Sequence, residues 1–98
     1  MKYEIKLDGV PSQSLSTALN DHDVDIKVRT AYGLLFIDVA IDGNSVCAGI
    51  KCVPNSDIIP KPARELIGGR LYFHSVDGAY PSVENIGTDN CRLTYEEF

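Results

Sequence analysis

The chain has 98 residues, enough for one domain with one modest core and too few for a second. Its 44% hydrophobic and 23% charged residues form a globular balance that argues against disorder. A net charge of −5, from nine Lys plus Arg against fourteen Asp plus Glu, disfavours non-specific nucleic-acid binding and docking on an anionic membrane, and suits a protein partner with basic patches.

Met1 to Leu7 alternates, with Tyr3, Ile5 and Leu7 on one face and Lys2, Glu4 and Lys6 on the other. Lacking a continuous apolar run, it reads as a strand and as neither a signal peptide nor a membrane span. Asp8-Gly9-Val10-Pro11-Ser12 ends it with turn residues, and Leu15 to Leu19 is a weak extended segment rich in Ser and Thr. The clearest alternation follows: Val24, Ile26, Val28 and Thr30 point one way, Asp23, Asp25, Lys27 and Arg29 the other. Tyr32-Gly33 is a turn. On the next strand Leu35, Ile37, Val39 and Ile41 form one apolar face, and Leu34, Phe36 and Ala40 make the other face apolar except at Asp38. That strand is expected to be buried on both sides. Asp42-Gly43-Asn44 signals a tight hairpin, and the strand from Ser45 to Val53 returns with Gly49 marking a bulge or a close approach.

Pro60 and Pro62 exclude a long helix but allow a short one over 63–67, with Pro62 in its first turn and Gly68-Gly69 stopping it. Two more strands fall near 70–75 and 90–95, joined by a loop carrying Asp77-Gly78 and Pro81. About six mostly antiparallel strands, with at most one helical turn near 62–67, predict an all-β fold. It is a small β-barrel or sandwich forming a single domain over residues 1–98.

The residues that carry chemistry do not assemble into a motif. Cys47, Cys52 and Cys91 are an odd number with no CxxC, and read as reduced core thiols. Cys47 and Cys52, five apart on one strand, are expected on opposite faces, which argues against a shared metal. No GxSxG elbow surrounds a serine, and His22 and His74 lie far apart in sequence, at a strand entry and near a strand end. Asp21, Asp23 and Asp25, and Glu96 with Glu97, read as solvated faces rather than acid–base pairs. Gly68-Gly69-Arg70 lacks the phosphate-loop pattern and leads into a strand. An OB-like barrel stacking single-stranded nucleic acid on its aromatic residues, and a small hydrolase, are the alternatives from other functional classes. Tyr3, Phe36, Phe73 and Tyr95 lie on alternating strands where core packing accounts for them.

One ordered series of short motifs spans residues 24–95: Phe36-Ile37-Asp38, Asp42-Gly43, Gly49-Ile50, Val53-Pro54-Asn55, Asp57-Ile58-Ile59, Gly68-Gly69-Arg70-Leu71, Gly87-Thr88-Asp89 and Leu93-Thr94-Tyr95. In order and spacing this series resembles the small phage-tail proteins of the cyanophage-type baseplate plug family. Asn90 and Cys91 follow Gly87-Thr88-Asp89 where family members often carry tryptophan.

The resemblance implies a non-enzymatic virion protein that joins or closes the distal tail through contacts with hub, spike or tube proteins. It implies a homo-oligomer in the assembled tail, a ring or trimer, made in the host cytoplasm, with no cofactor, no catalytic residue, no nucleic acid and no membrane anchor. It makes Asp42, Gly43, Gly68, Gly69, Gly87, Thr88 and Asp89 folding elements, with Gly87 at an unusual backbone angle and Asp89 accepting backbone N–H groups before the last strand. Exposure nominates the contact residues: Asp23, Asp25, Lys27 and Arg29 on one strand, Asp57 and Arg64 in the loop from Pro54 to Gly69, and Glu96 and Glu97 at the end.

Overall fold

Alternation every two residues turns one face of a strand inward, and the computed structural model, which describes residues 2–98, has seven strands, most of which alternate in this way. They are β1 (Lys2–Ile5), β2 (Ser12–Leu19), β3 (His22–Ala31), β4 (Leu34–Ile41), β5 (Asn44–Lys51), β6 (Gly69–Ser75) and β7 (Cys91–Glu97), with one helix, α1 (Lys61–Ile67), before β6. Met1, expected at the start of the first strand, lies outside the described residues.

The strands form two antiparallel sheets, β2-β3-β4-β5 and β1-β7-β6, packed as a sandwich rather than a closed barrel. In the first sheet every connection is a two-residue hairpin with both central residues at positive φ: Asn20-Asp21 (50°, 64°), Tyr32-Gly33 (54°, 74°) and Asp42-Gly43 (51°, 82°). Those angles match the strand twist, so each hairpin sets the register of the next pair. In the second sheet the two ends of the chain pair, Lys2 opposite Glu96 through Ile5 opposite Leu93, and the rings of Tyr3 and Tyr95 stack with centroids 6.1 Å apart.

The inner faces meet in one apolar cluster. Val24, Ile26 and Val28 of β3 and Leu35, Ile37, Val39 and Ile41 of β4 lie against Leu71 and Phe73 of β6 and Leu93 and Tyr95 of β7, all of them buried. Each such side chain contributes about 1.5–3 kcal/mol on leaving water. Pro60 stands at the N-terminal boundary of α1, its carbonyl accepting the Arg64 N–H at 3.0 Å. Pro62 lies in the first turn, and Gly68 (φ 67°) ends the helix with its N–H donating to the Arg64 carbonyl. Ala63 and Ile67 are the buried face of this helix, and the Tyr95 hydroxyl donates to the Ile67 carbonyl at 2.5 Å. Gly69 is required by that packing: a Cβ there would stand 2.5 Å from the Glu96 carbonyl oxygen and 2.7 Å from the Tyr95 ring.

The strands depart from expectation in three places. β2 begins at Ser12, which read as part of the turn, and runs regularly to Leu19. β4 is central in its sheet but not buried on both sides: Leu34, Phe36, Asp38 and Ala40 are half-exposed on the outer face, because no third layer covers it. Cys47 and Cys52 do not face opposite ways. Val39 pairs with Cys47 and Ile37 with Ile50, so a bulge inserts an extra residue into β5, and Cys52 beyond its end turns into the core. Burial, with Cys91 and Cys47 nearby, pushes the Cys52 thiol up to about 12, and burial pushes Cys91 up to about 11, which keeps both protonated and unreactive.

Candidate functional site

The outer faces of the two sheets carry the polar side chains, and they differ in kind. On the hairpin sheet, Asp23, Asp25 and Lys27 are exposed and Arg29 is half-buried. Ser16 donates to Asp25 at 2.5 Å, and Arg29 reaches across to Asp38 at 2.6 Å. The Gly49 N–H donates to the other Asp38 oxygen at 2.5 Å, and that bond first, with Arg29 behind it, holds the Asp38 carboxyl below the usual range. Ser14, Ser16, Asp25, Lys27, Asp38 and Ser45 line a shallow concavity of about 590 Å³. It is the open hollow of a twisted sheet, lined by small and charged groups.

On the second sheet, Asp57 sits between two guanidinium groups, paired with Arg64 Nη1 and with Arg70 Nε at 2.6 Å. Arg70 also lies 3.7 Å from Glu96 and over the Tyr72 ring, while the Tyr72 hydroxyl donates to Glu96 at 3.1 Å. The Asp57 hydrogen bond and charge first, then Tyr72 and Glu96, raise the Arg70 pKa. This network holds the segment 54–58 along the outer edge of β6, where Asn55 N–H donates to the Phe73 carbonyl and Ile58 N–H to the Leu71 carbonyl. Asp57, Arg64 and Glu96 are thus brought together, through Arg70 and Tyr72, neither of which exposure alone had singled out. Glu97 is exposed beyond them, and Asp23, Asp25, Lys27 and Arg29 lie on the opposite side of the sandwich.

The link before β7 is built differently from the expectation. Gly87 has φ 76°, and its N–H donates to the Cys91 carbonyl. The backbone acceptor in the turn is Thr88, whose hydroxyl oxygen takes the Asn90 N–H at 3.2 Å while donating to the Asn85 carbonyl at 2.6 Å. Asp89 instead pairs with Arg92 at 2.5 Å, because its side chain points into solvent, away from the turn's N–H groups.

The chemistry-bearing groups stay scattered. His22 Nδ1 lies 2.5 Å from Asp42, and His74 is exposed on β6 beside Tyr72, Arg92 and Thr94. Among the described residues no cluster of His, Cys, Asp and Glu has the arrangement of a metal site, and no helix is long and apolar enough to cross a membrane. Of the aromatic residues expected in the core, Phe73 and Tyr95 are buried, whereas Phe36 is half-exposed on the outer face and Tyr3 is 43% exposed.

Compared with known proteins, residues 2–97 match the family described as cyanophage baseplate Pam3 plug gp18. No curated protein matches the chain.

Proposed function

The chain belongs to the cyanophage baseplate plug family and so has a structural role in a phage baseplate, and we propose that it acts without catalysis, joining or closing the distal tail through protein–protein contacts. The observation that carries this is the match over residues 2–97, nearly every residue of the chain. The geometry supports it. Asp57, Arg64 and Arg70 are held in ion pairs that fix a loop against a strand edge, and the concavity on the hairpin sheet is a shallow hollow of its face. Buried thiols held protonated are not nucleophiles.

Hub, spike or tube proteins of the same tail are the partners, and the chain works there as a homo-oligomer. Its surplus of carboxylates favours neighbours that present basic patches. Two surfaces are offered: the face of Asp23, Asp25, Lys27 and Arg29, and the opposite one around Asp57, Arg64, Glu96 and Glu97.

The test is a knockout of the coding gene in the phage, followed by electron microscopy and protein analysis of purified particles. The expected result is the chain in wild-type tails and an open or incomplete distal end without it. Complete, infectious particles lacking the chain would overturn the proposal.

A further inference from the structure

The sandwich has four outer strand edges, and three of them are protected. The β6 edge is covered by residues 54–58. The β5 edge is broken by its bulge and by Gly49 (φ 64°). The β1 edge has four residues, beginning with Lys2 and closely followed by Lys6. Bulges, short edges and lysines are the usual ways in which a sheet avoids pairing with a second chain. The remaining edge, β2, has none of them. It is eight residues of Ser-Gln-Ser-Leu-Ser-Thr-Ala-Leu, regular along its whole pairing with β3, without charge, proline or bulge.

The hairpin at Asn20-Asp21 determines which of its backbone groups are free. Leu19 and His22 close a two-residue turn and therefore form a hydrogen-bonded pair, and such pairs alternate along an antiparallel ladder. Leu19, Thr17, Leu15 and Gln13 bond to β3. The N–H and C=O groups of Ser12, Ser14, Ser16 and Ala18 point away from the sheet, and among the described residues no backbone bond satisfies them. These four residues are exposed, and their small side chains leave the edge open to another backbone.

We propose that β2 is a self-pairing seam, adding antiparallel to β2 of a second copy across a two-fold axis at Leu15. This register places Ser14 opposite Ser16 and Ser12 opposite Ala18, so all four free residues on each strand become hydrogen-bonded pairs. Keeping the outer faces of both sheets on one side requires the axis to pass through a residue, and centring on Leu15 is the choice that uses all four. The two Leu15 residues then meet as a non-hydrogen-bonded pair, the closer kind. Their side chains face a groove of about 470 Å³ between β2 and β1, with Tyr3, Ile5 and Leu19 in its walls and Glu4, Lys6 and Glu97 among its polar lining.

Register selects a copy as the occupant. A second β2 presents the same four free residues at the same spacing and brings no charge of its own. The nearest carboxylates, Asp25 beside Ser16 and Glu4 and Glu97 in the groove, lie off the strand. The chain's overall −5 opposes pairing at long range, so self-association should strengthen as salt rises. A charge-steered contact with a basic partner would weaken instead.

The seam deepens the homo-oligomer part of the reading above and can fail independently of it. Sedimentation of the purified chain is expected to show a dimer favoured by salt, with slow amide exchange at Ser12, Ser14, Ser16 and Ala18. Ser14→Pro removes a free donor rather than a bond within the fold, so it should weaken dimerisation by more than about tenfold while circular dichroism stays unchanged. Ser14→Lys, which places a charge on the edge without altering the backbone, is the second variant. A monomer at all concentrations, a trimer, or a dimer insensitive to both variants with those four amides exchanging fast would overturn the seam. The last two outcomes leave the homo-oligomer reading standing. Absence of the chain from purified tails overturns the baseplate proposal and leaves the seam untouched.

Discussion

In the sheet β2-β3-β4-β5 every strand pairs with its neighbour in sequence through a two-residue turn, whereas in β1-β7-β6 the central strand takes one partner from the opposite end of the chain. The first sheet closes short loops. The second must bring Lys2 to Glu96, and the entropy of closure rises by about 0.6 kcal/mol with each doubling of loop length. Local turns specify the hairpin sheet; fitted packing has to hold the other. Cost should therefore concentrate where the second sheet meets the core and where its links pass close to other backbone.

The largest effect is expected at Phe73, fully buried on β6. Phe73→Ala should lower stability by about 3–5 kcal/mol in urea unfolding, against about 0.5–1.5 kcal/mol for Ile37→Val in the hairpin sheet. A loss at Phe73 no greater than that at Ile37 would break the comparison.

Two glycines separate turn cost from packing cost. Gly43 (φ 82°) has nothing within 4 Å of the place a Cβ would take, whereas at Gly87 (φ 76°) a Cβ would stand 2.3 Å from the Leu7 carbonyl oxygen. Both Ala variants bear the left-handed backbone penalty of about 1–2 kcal/mol. Gly87→Ala should cost about 1–3 kcal/mol more, since the Leu7 backbone must shift. Equal midpoints in denaturant would mean that the link before β7 is as yielding as a hairpin.

The same contrast governs what could be read from the residues alone. Val24, Ile26 and Val28 repeat with period two, and Asp42-Gly43 carries the turn chemistry, so β3, β4 and the turn into β5 were legible. β2 showed only as a weak segment over 15–19, and it begins earlier, at Ser12, which read as turn. The helix near 62–67 was legible from Pro62 and Gly68. The pairing of β1 with β7 was not, because period two assigns a face and not a partner. Gly49 marked the bulge but not its consequence: the inserted residue reverses the alternation and brings Cys52 to the same side as Cys47. The Asp57–Arg70 pair depends on segment 54–58 lying along β6, a contact between stretches whose spacing carries no periodic signal. The open edge of β2 was hidden for a related reason: its serines looked merely polar until the Asn20-Asp21 turn showed which of them point their backbone outward.

Thr30 provides a smaller test within the hairpin sheet. Its hydroxyl oxygen is buried without a hydrogen-bond partner. Replacing it with an isosteric methyl removes that unmet demand, so Thr30→Val should raise stability by about 1 kcal/mol in urea unfolding. A comparable loss would show that the hydroxyl is bonded in solution and that this end of β3 is less settled than its register suggests.

The smallest expected effect is electrostatic and again confined to the hairpin sheet. Asp42 accepts from the Asp23 N–H at 3.0 Å and lies against His22, and the His22 contact first, then that N–H, lowers its pKa from 3.8. A carboxylate whose pKa is lower folded than unfolded stabilises the fold above the unfolded value of 3.8, and the gain is lost as pH falls through the lower folded value. Asp42→Asn keeps a residue that tolerates the positive φ of this turn while removing the titration. Its stability should fall less steeply than wild type's as the solution is acidified, measured by urea unfolding across the acid range. Asp38, also lowered, should behave alike in Asp38→Asn, because Gly49 and Arg29 hold its charge on the same sheet. If both variants keep the wild-type acid slope, the hairpin sheet is not where acid first acts, and its turns owe their stability to backbone geometry alone.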